Sequence, residues 1–181
     1  MLLFLNCEFT SLDEASELIS AALVPERGGE YLYLESSDFM LSHCSDFVKA
    51  DVLPHLNDSA QRPTLEAIAR RFRKFIVERN EGCLIAADNR WDWHYLLQLL
   101  ALAGSWPPNL DREFLHLRWN VLTPDRQEVA ETIRQDYLAA RRSHHALDDA
   151  TANCLAFAAV AGHLPLEELL KLWRQGGREI E

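Results

Sequence analysis

The chain opens on a continuous apolar run that turns polar at its end. Residues 2 to 9, LLFLNCEF, read as a buried strand whose polar side chains emerge at its carboxyl end. Leu18 to Val24 and Glu30 to Leu34 read as two more strands, parted by Pro25, Gly28 and Gly29 at a turn. The three together predict an antiparallel meander. Residues 45 to 53 and 64 to 79 have helical spacing, and the second run follows Pro63 with Leu65, Ile68, Phe72, Phe75 and Ile76 on one face. After Gly82, Cys83 to Ala87 is short and apolar enough for a further central strand, and a helix from Asp92 to Ala103 leaves it, closed by Gly104 to Pro108. Phe114 to Leu122 reads as a strand plus a connection. Helices are then expected over 124 to 140, 145 to 161 and 165 to 173. Helix 145 to 161 is rich in alanine, which lets it pack closely on a sheet. The order describes an α/β domain built on a mixed sheet flanked by helices.

Composition narrows the setting. A chain of 181 residues that is 48% hydrophobic can bury a sizeable core, so residues 1 to 181 are expected to form one domain without disulfide staples. Cys7, Cys44, Cys83 and Cys154 are far apart and form no C-x-x-C pair, which argues against a zinc knuckle or a disulfide framework and for a reduced, cytoplasmic setting. The apolar start is interrupted by Asn6 and Glu8 before it reaches signal-peptide length, and no membrane association is expected. A formal charge of −10 would repel a long duplex, so extended sequence-independent DNA binding is not expected. Short single-stranded ends remain compatible, since divalent cations neutralise part of an acidic cleft. Basic residues cluster at 70 to 74, read as the solvated face of a helix, and at Arg141-Arg142, where Arg141 is a candidate phosphate contact.

Candidate chemistry comes from three distant segments. Strand alternation puts residues 6 and 8 of Asn6-Cys7-Glu8-Phe9-Thr10 on one face, so two oxygen-bearing groups can share a cation. Asp88 and Asp92 sit where a strand gives way to a helix, at the carboxyl edge where α/β sheets usually bind ligands. Asp92 could equally cap that helix, and Asp88 offers the same capping chemistry. Ser143-His144-His145-Ala146-Leu147-Asp148-Asp149-Ala150 adds a carboxylate at a helix start and two histidines ahead of it. Hard divalent ions prefer such carboxylates, a pair of ions can clamp a phosphodiester, and a histidine can take the proton of an attacking water. Trp91 and Trp93 are read as core residues.

In these three segments the chain resembles the DEDDh 3′-to-5′ exonucleases of the ribonuclease H-like fold, in particular their small single-domain bacterial branch. The first motif of that family, Asp-x-Glu-x-Thr, is matched at Glu8 and Thr10 and departed from at Asn6. The second, Asn-x-x-aromatic-Asp, is met by Trp91-Asp92, with Asp88 in the place of the Asn. The third, His-x-Ala-x-x-Asp-Ala, is matched by His144, Ala146, Asp149 and Ala150. The resemblance spans about residues 1 to 162. It implies removal of nucleotides one at a time from single-stranded RNA or DNA 3′ ends, or from short oligonucleotides, with two Mg²⁺ or Mn²⁺ ions, and a possible homodimer. By position it implies Glu8, Asp92 and Asp149 as metal ligands, with Asn6 where the shared aspartate usually stands. His144 would be the general base, and Phe9, Thr10 and Asp88 would lie beside the terminal nucleotide. An amide is a poor bridge between two cations. Two origins compete for Asn6: an aspartate replaced to trap substrate, or a natural chain that binds nucleic acid or a nucleotide without cutting.

Overall fold

The computed structural model describes residues 1–13, 15–57 and 61–161. The apolar opening run forms strand β1 (Leu2–Phe9), its first four residues buried. It is continuous rather than alternating because the strand is covered on both faces. Leu3, Leu5 and Cys7 enter one core with Phe72 and Leu96, while Leu2 and Phe4 enter a second with Phe157 and Val160.

Strands β2 (Leu18–Pro25) and β3 (Leu32–Glu35) continue from β1 as an antiparallel meander. Strands β4 (Cys83–Ala87) and β5 (Leu110–His116) add to the other side in parallel, giving the order β3-β2-β1-β4-β5. Because β1 and β4 are parallel neighbours, both end at one sheet edge. Helices α1 (Leu65–Val77) and α2 (Arg90–Leu102) supply one core. Helices α3 (Pro124–Ala139) and α4 (Ala146–Ala161) cover the opposite face.

Three elements differ from the expectation. Residues 45 to 53 do not make one α-helix: a π-helical turn, Val48–Val52, leads into a 3-10 turn, Leu53–His55, because Pro54 has no N–H to continue an α-helical ladder. β5 starts at Leu110, four residues before Phe114, and its Asp111, Arg112 and Glu113 are exposed as an edge strand allows. α2 starts at Arg90, with the Asn89 side chain accepting a hydrogen bond from Trp91 N at 3.0 Å. The helix expected over 165 to 173 lies outside the described residues. Among the described residues no helix is long and apolar enough to cross a membrane.

Candidate functional site

The carboxyl ends of β1 and β4 open into a cleft of about 740 Å³. Asn6 and Glu8 reach it from β1, on the same face as Phe4. Asp88 reaches it from the turn after β4, Asp92 from the first turn of α2, and Asp149 from the first turn of α4. His144 joins from the loop before α4. The three distant segments therefore meet at one place. α2 and α4 lie on opposite faces of the sheet, so Asp92 and Asp149 approach its edge from opposite sides.

Asp92 is not the helix cap, since Asn89 has that role. It is 1% exposed, and its Oδ1 accepts a hydrogen bond from Cys7 N at 2.8 Å, which locks the start of α2 to β1. Its Oδ2 is buried without a protein partner. Burial pushes the Asp92 carboxyl well above its ordinary value, helped by the charge of Asp88 and opposed by the Cys7 N–H. Burial first, then repulsion from Asp149 and Asp88, pushes Glu8 up to about 8. Burial and then Asp88 push Asp149 up to about 7, against the pull of the His145 N–H and Arg134. Asp88 itself is held by Arg134, whose Nη2 lies 3.2 Å from its Oδ2.

The two histidines part company. His144 takes a left-handed backbone, φ +59°, which a non-glycine residue seldom adopts, and its exposed ring meets the Phe47 ring edge-on at 4.8 Å beside the cleft. His145 turns inward onto Tyr33, with ring centroids 4.6 Å apart and Nδ1 3.3 Å from Asp148 Oδ2. Burial and then the Arg142 guanidinium lower its pKa to about 4. Arg142 Nε also donates to Asp148 Oδ2 at 2.9 Å and its Nη1 to His55 O at 3.3 Å. This network pins the loop that carries His144.

Other side chains singled out from the sequence fall in different places. Phe9 lines the cleft, but one side of its ring is stacked on Tyr95 at 5.2 Å. Thr10 is fully buried, and its Oγ1 accepts from Glu17 N, so it braces the turn after β1 and does not line the cleft. Arg141 is exposed, lies over the Tyr137 ring and is not among the residues that line the cleft. Arg134, Phe47 and Leu12 line the cleft and were not singled out. Leu12 is 74% exposed and Phe47 51%, an apolar lip on an acidic floor. No signal marks Arg134 among the charges of α3, whereas unburied Leu12 and Phe47 lie within four residues of a motif or a turn.

The set does not fit two divalent ions as it stands. Asn6 lines the cleft with its Oδ1 buried and unpartnered, so the oxygen that a cation would need is not exposed. Asp88 is committed to Arg134. Among the described residues, no three His, Cys, Asp or Glu side chains gather as a metal-holding group. What the cleft offers is four carboxyls, one of them paired to a guanidinium, two amides and an exposed imidazole.

No family model matches the chain, and no curated protein matches it. Solved structures do. The full-length structure of a 3′-exonuclease superposes with a TM-score of 0.59 at 13% identity, covering 89% of this chain and 60% of that one. A 3′-exonuclease described for its 3′-end-specific recognition of a histone mRNA stem-loop gives a TM-score of 0.59 at 14% identity, over 92% of this chain and 81% of that one. The chain thus spans less than two thirds of the first of these proteins. At such identity the likeness establishes the fold, which is ribonuclease H-like, a mixed five-stranded sheet flanked by helices.

Proposed function

We propose that this chain takes the 3′ end of a single RNA or DNA strand, or a short oligonucleotide, into the cleft, and that it is a 3′-to-5′ exonuclease by descent whose turnover Asn6 impairs. The observation that carries the reading is the meeting of Glu8, Asp88, Asp92, Asp149 and His144 at one sheet edge, from segments as far apart as residues 8 and 149. The fold shared with two 3′-exonucleases agrees with it.

The roles follow from placement. His144 stands exposed beside the carboxyls, within the cleft, where an imidazole can accept a proton from water. Phe47 and Leu12 give the apolar lip on which a base can rest whatever its identity. Arg134 is the guanidinium able to meet a phosphate oxygen there. With aspartate at position 6 the floor would regain the anionic oxygens that Mg²⁺ or Mn²⁺ require. The second reading, a protein that binds a strand or nucleotide without cutting, is favoured by the buried, unpartnered oxygen of Asn6.

End recognition is the testable core. A fluorescent single strand should be displaced by a linear oligonucleotide at least ten times better than by the same sequence closed into a circle. Equal displacement by the two forms would contradict a cleft that seats a terminus.

A further inference from the structure

Beneath the cleft α4 runs antiparallel to β1, and the two elements keep step. Four helical residues advance about 6 Å and two strand residues about 6.7 Å, so one spacing matches the other. The ladder is anchored at one end by the Phe4 and Phe157 rings, edge-on at 5.3 Å. It is anchored at the other by Glu8 and Asp149, close enough for Asp149 to be the foremost charge acting on Glu8. Halfway between these two anchors, the shared spacing puts Asn6 on β1 level with Asn153 on α4.

Asn153 is out of pattern. The residues around it on the packed side of α4 are Ala150, Ala152, Ala156, Phe157 and Val160, all buried and apolar. It is itself 1% exposed, and neither its oxygen nor its nitrogen meets a protein partner. Asn6 Oδ1, at the same level of the seam, is buried and unpartnered too. Buried amides that lack partners are rare in native proteins, and a buried water commonly bridges such groups where two of them lie close.

We infer that Asn153 positions residue 6: its Nδ2 donates to one buried water that donates in turn to Asn6 Oδ1, and this holds the NH₂ end of Asn6 toward the cleft. The floor of the cleft then offers a hydrogen-bond donor, which suits a phosphate oxygen and refuses a cation. With aspartate at position 6, Asn153 would hold one carboxylate oxygen and leave the other facing the cleft. This rests on the cleft assignment proposed above, and it adds a residue that none of the three motifs contains.

The test is Mn²⁺ titration by calorimetry of this chain, Asn6→Asp, and Asn6→Asp combined with Asn153→Leu or Asn153→Ser. Asn6→Asp should bind Mn²⁺ at least tenfold more tightly than the unaltered chain. Adding Asn153→Leu should weaken it about 10- to 100-fold, as loss of an orienting partner does, with Asn153→Ser, which keeps a donor, between the two. Equal Mn²⁺ affinity with and without Asn153→Leu overturns the inference, as does equal affinity of the unaltered chain and Asn6→Asp.

Should the leucine variant fail to fold, the side-chain NH₂ resonances of the unaltered chain decide. The Asn153 signal should exchange slowly with solvent and shift on Asn6→Asp; fast exchange, or no shift, overturns the inference. Strand cutting by Asn6→Asp with Mn²⁺ affinity indifferent to Asn153 sinks this inference alone. Mn²⁺ affinity that depends on Asn153, with no strand cut, sinks the exonuclease reading alone.

Discussion

Burial and then repulsion from Asp149 push Glu8 up to about 8, and burial and then repulsion from Asp88 push Asp149 up to about 7. For a carboxyl whose folded pKa is raised, the stability it leaves to the fold is fully present below its unfolded value, and is lost as pH rises through the folded one. His145, lowered to about 4, acts in the other direction: its contribution is whole above 6.5 and is lost as pH falls toward 4. Between pH 6 and pH 8 the carboxyls dominate. The melting temperature without divalent ions should therefore fall by about 5 °C over that interval, and Glu8→Gln should flatten the slope. A flat profile in the unaltered chain would contradict the crowding. Arg134→Gln should weaken single-strand binding about tenfold in fluorescence anisotropy, the loss expected of one charged hydrogen bond; unchanged affinity would remove Arg134 from the site.

Much of the acid set was legible residue by residue, because carboxylates and a histidine at fixed offsets around element ends announce themselves. Glu8, Asp92, His144 and Asp149 all reach the cleft. Arg134 was not legible, since only the packing of α3 over the end of β4 brings it to Asp88. Thr10 and Arg141 were chosen by their neighbours in sequence. A buried hydroxyl that braces a turn and an arginine lying over a tyrosine look the same from there.

At the scale of elements, β1 and α4 are the pair on which the site stands. The apolar run of β1 and the alanines of α4 both foretold close packing, and both strand and helix lie as expected. The start of β5 was hidden because an edge strand tolerates Asp111, Arg112 and Glu113 facing solvent. The π-helical turn at Val48–Val52 was hidden because its apolar spacing matches that of an ordinary helix, with Pro54 the only hint. Phe157 fixes the register of α4 on β1 through Phe4. Phe157→Ala should cost about 3–5 kcal/mol in denaturant unfolding, the range for a deleted core ring, and should loosen strand binding through displacement of Asp149. A loss under 1 kcal/mol would mean that the seam is held elsewhere.

At the scale of the molecule, a chain of net charge −10 carries an acidic cleft in which, among the described residues, Arg134 is the one lysine or arginine that lines the wall. Strand binding should therefore depend weakly on salt. Neutralising one or two phosphates of a single strand gives a log–log slope of about −0.7 to −1.4, measurable between 50 and 200 mM salt. A slope near −4 would instead require an extended basic surface. The ribonuclease H-like fold was legible from the order of elements and three short motifs, although the two exonuclease structures share only 13% and 14% of the sequence. The central claim is that one amide at position 6 separates this cleft from turnover. Its most direct test is degradation of a 5′-labelled single-stranded RNA and the matching DNA with Mn²⁺, by this chain and by its Asn6→Asp form. A stepwise ladder from the 3′ end that appears, or strengthens at least tenfold, with aspartate restored is the expected result. No cutting by either form, although both bind the strand, would contradict it.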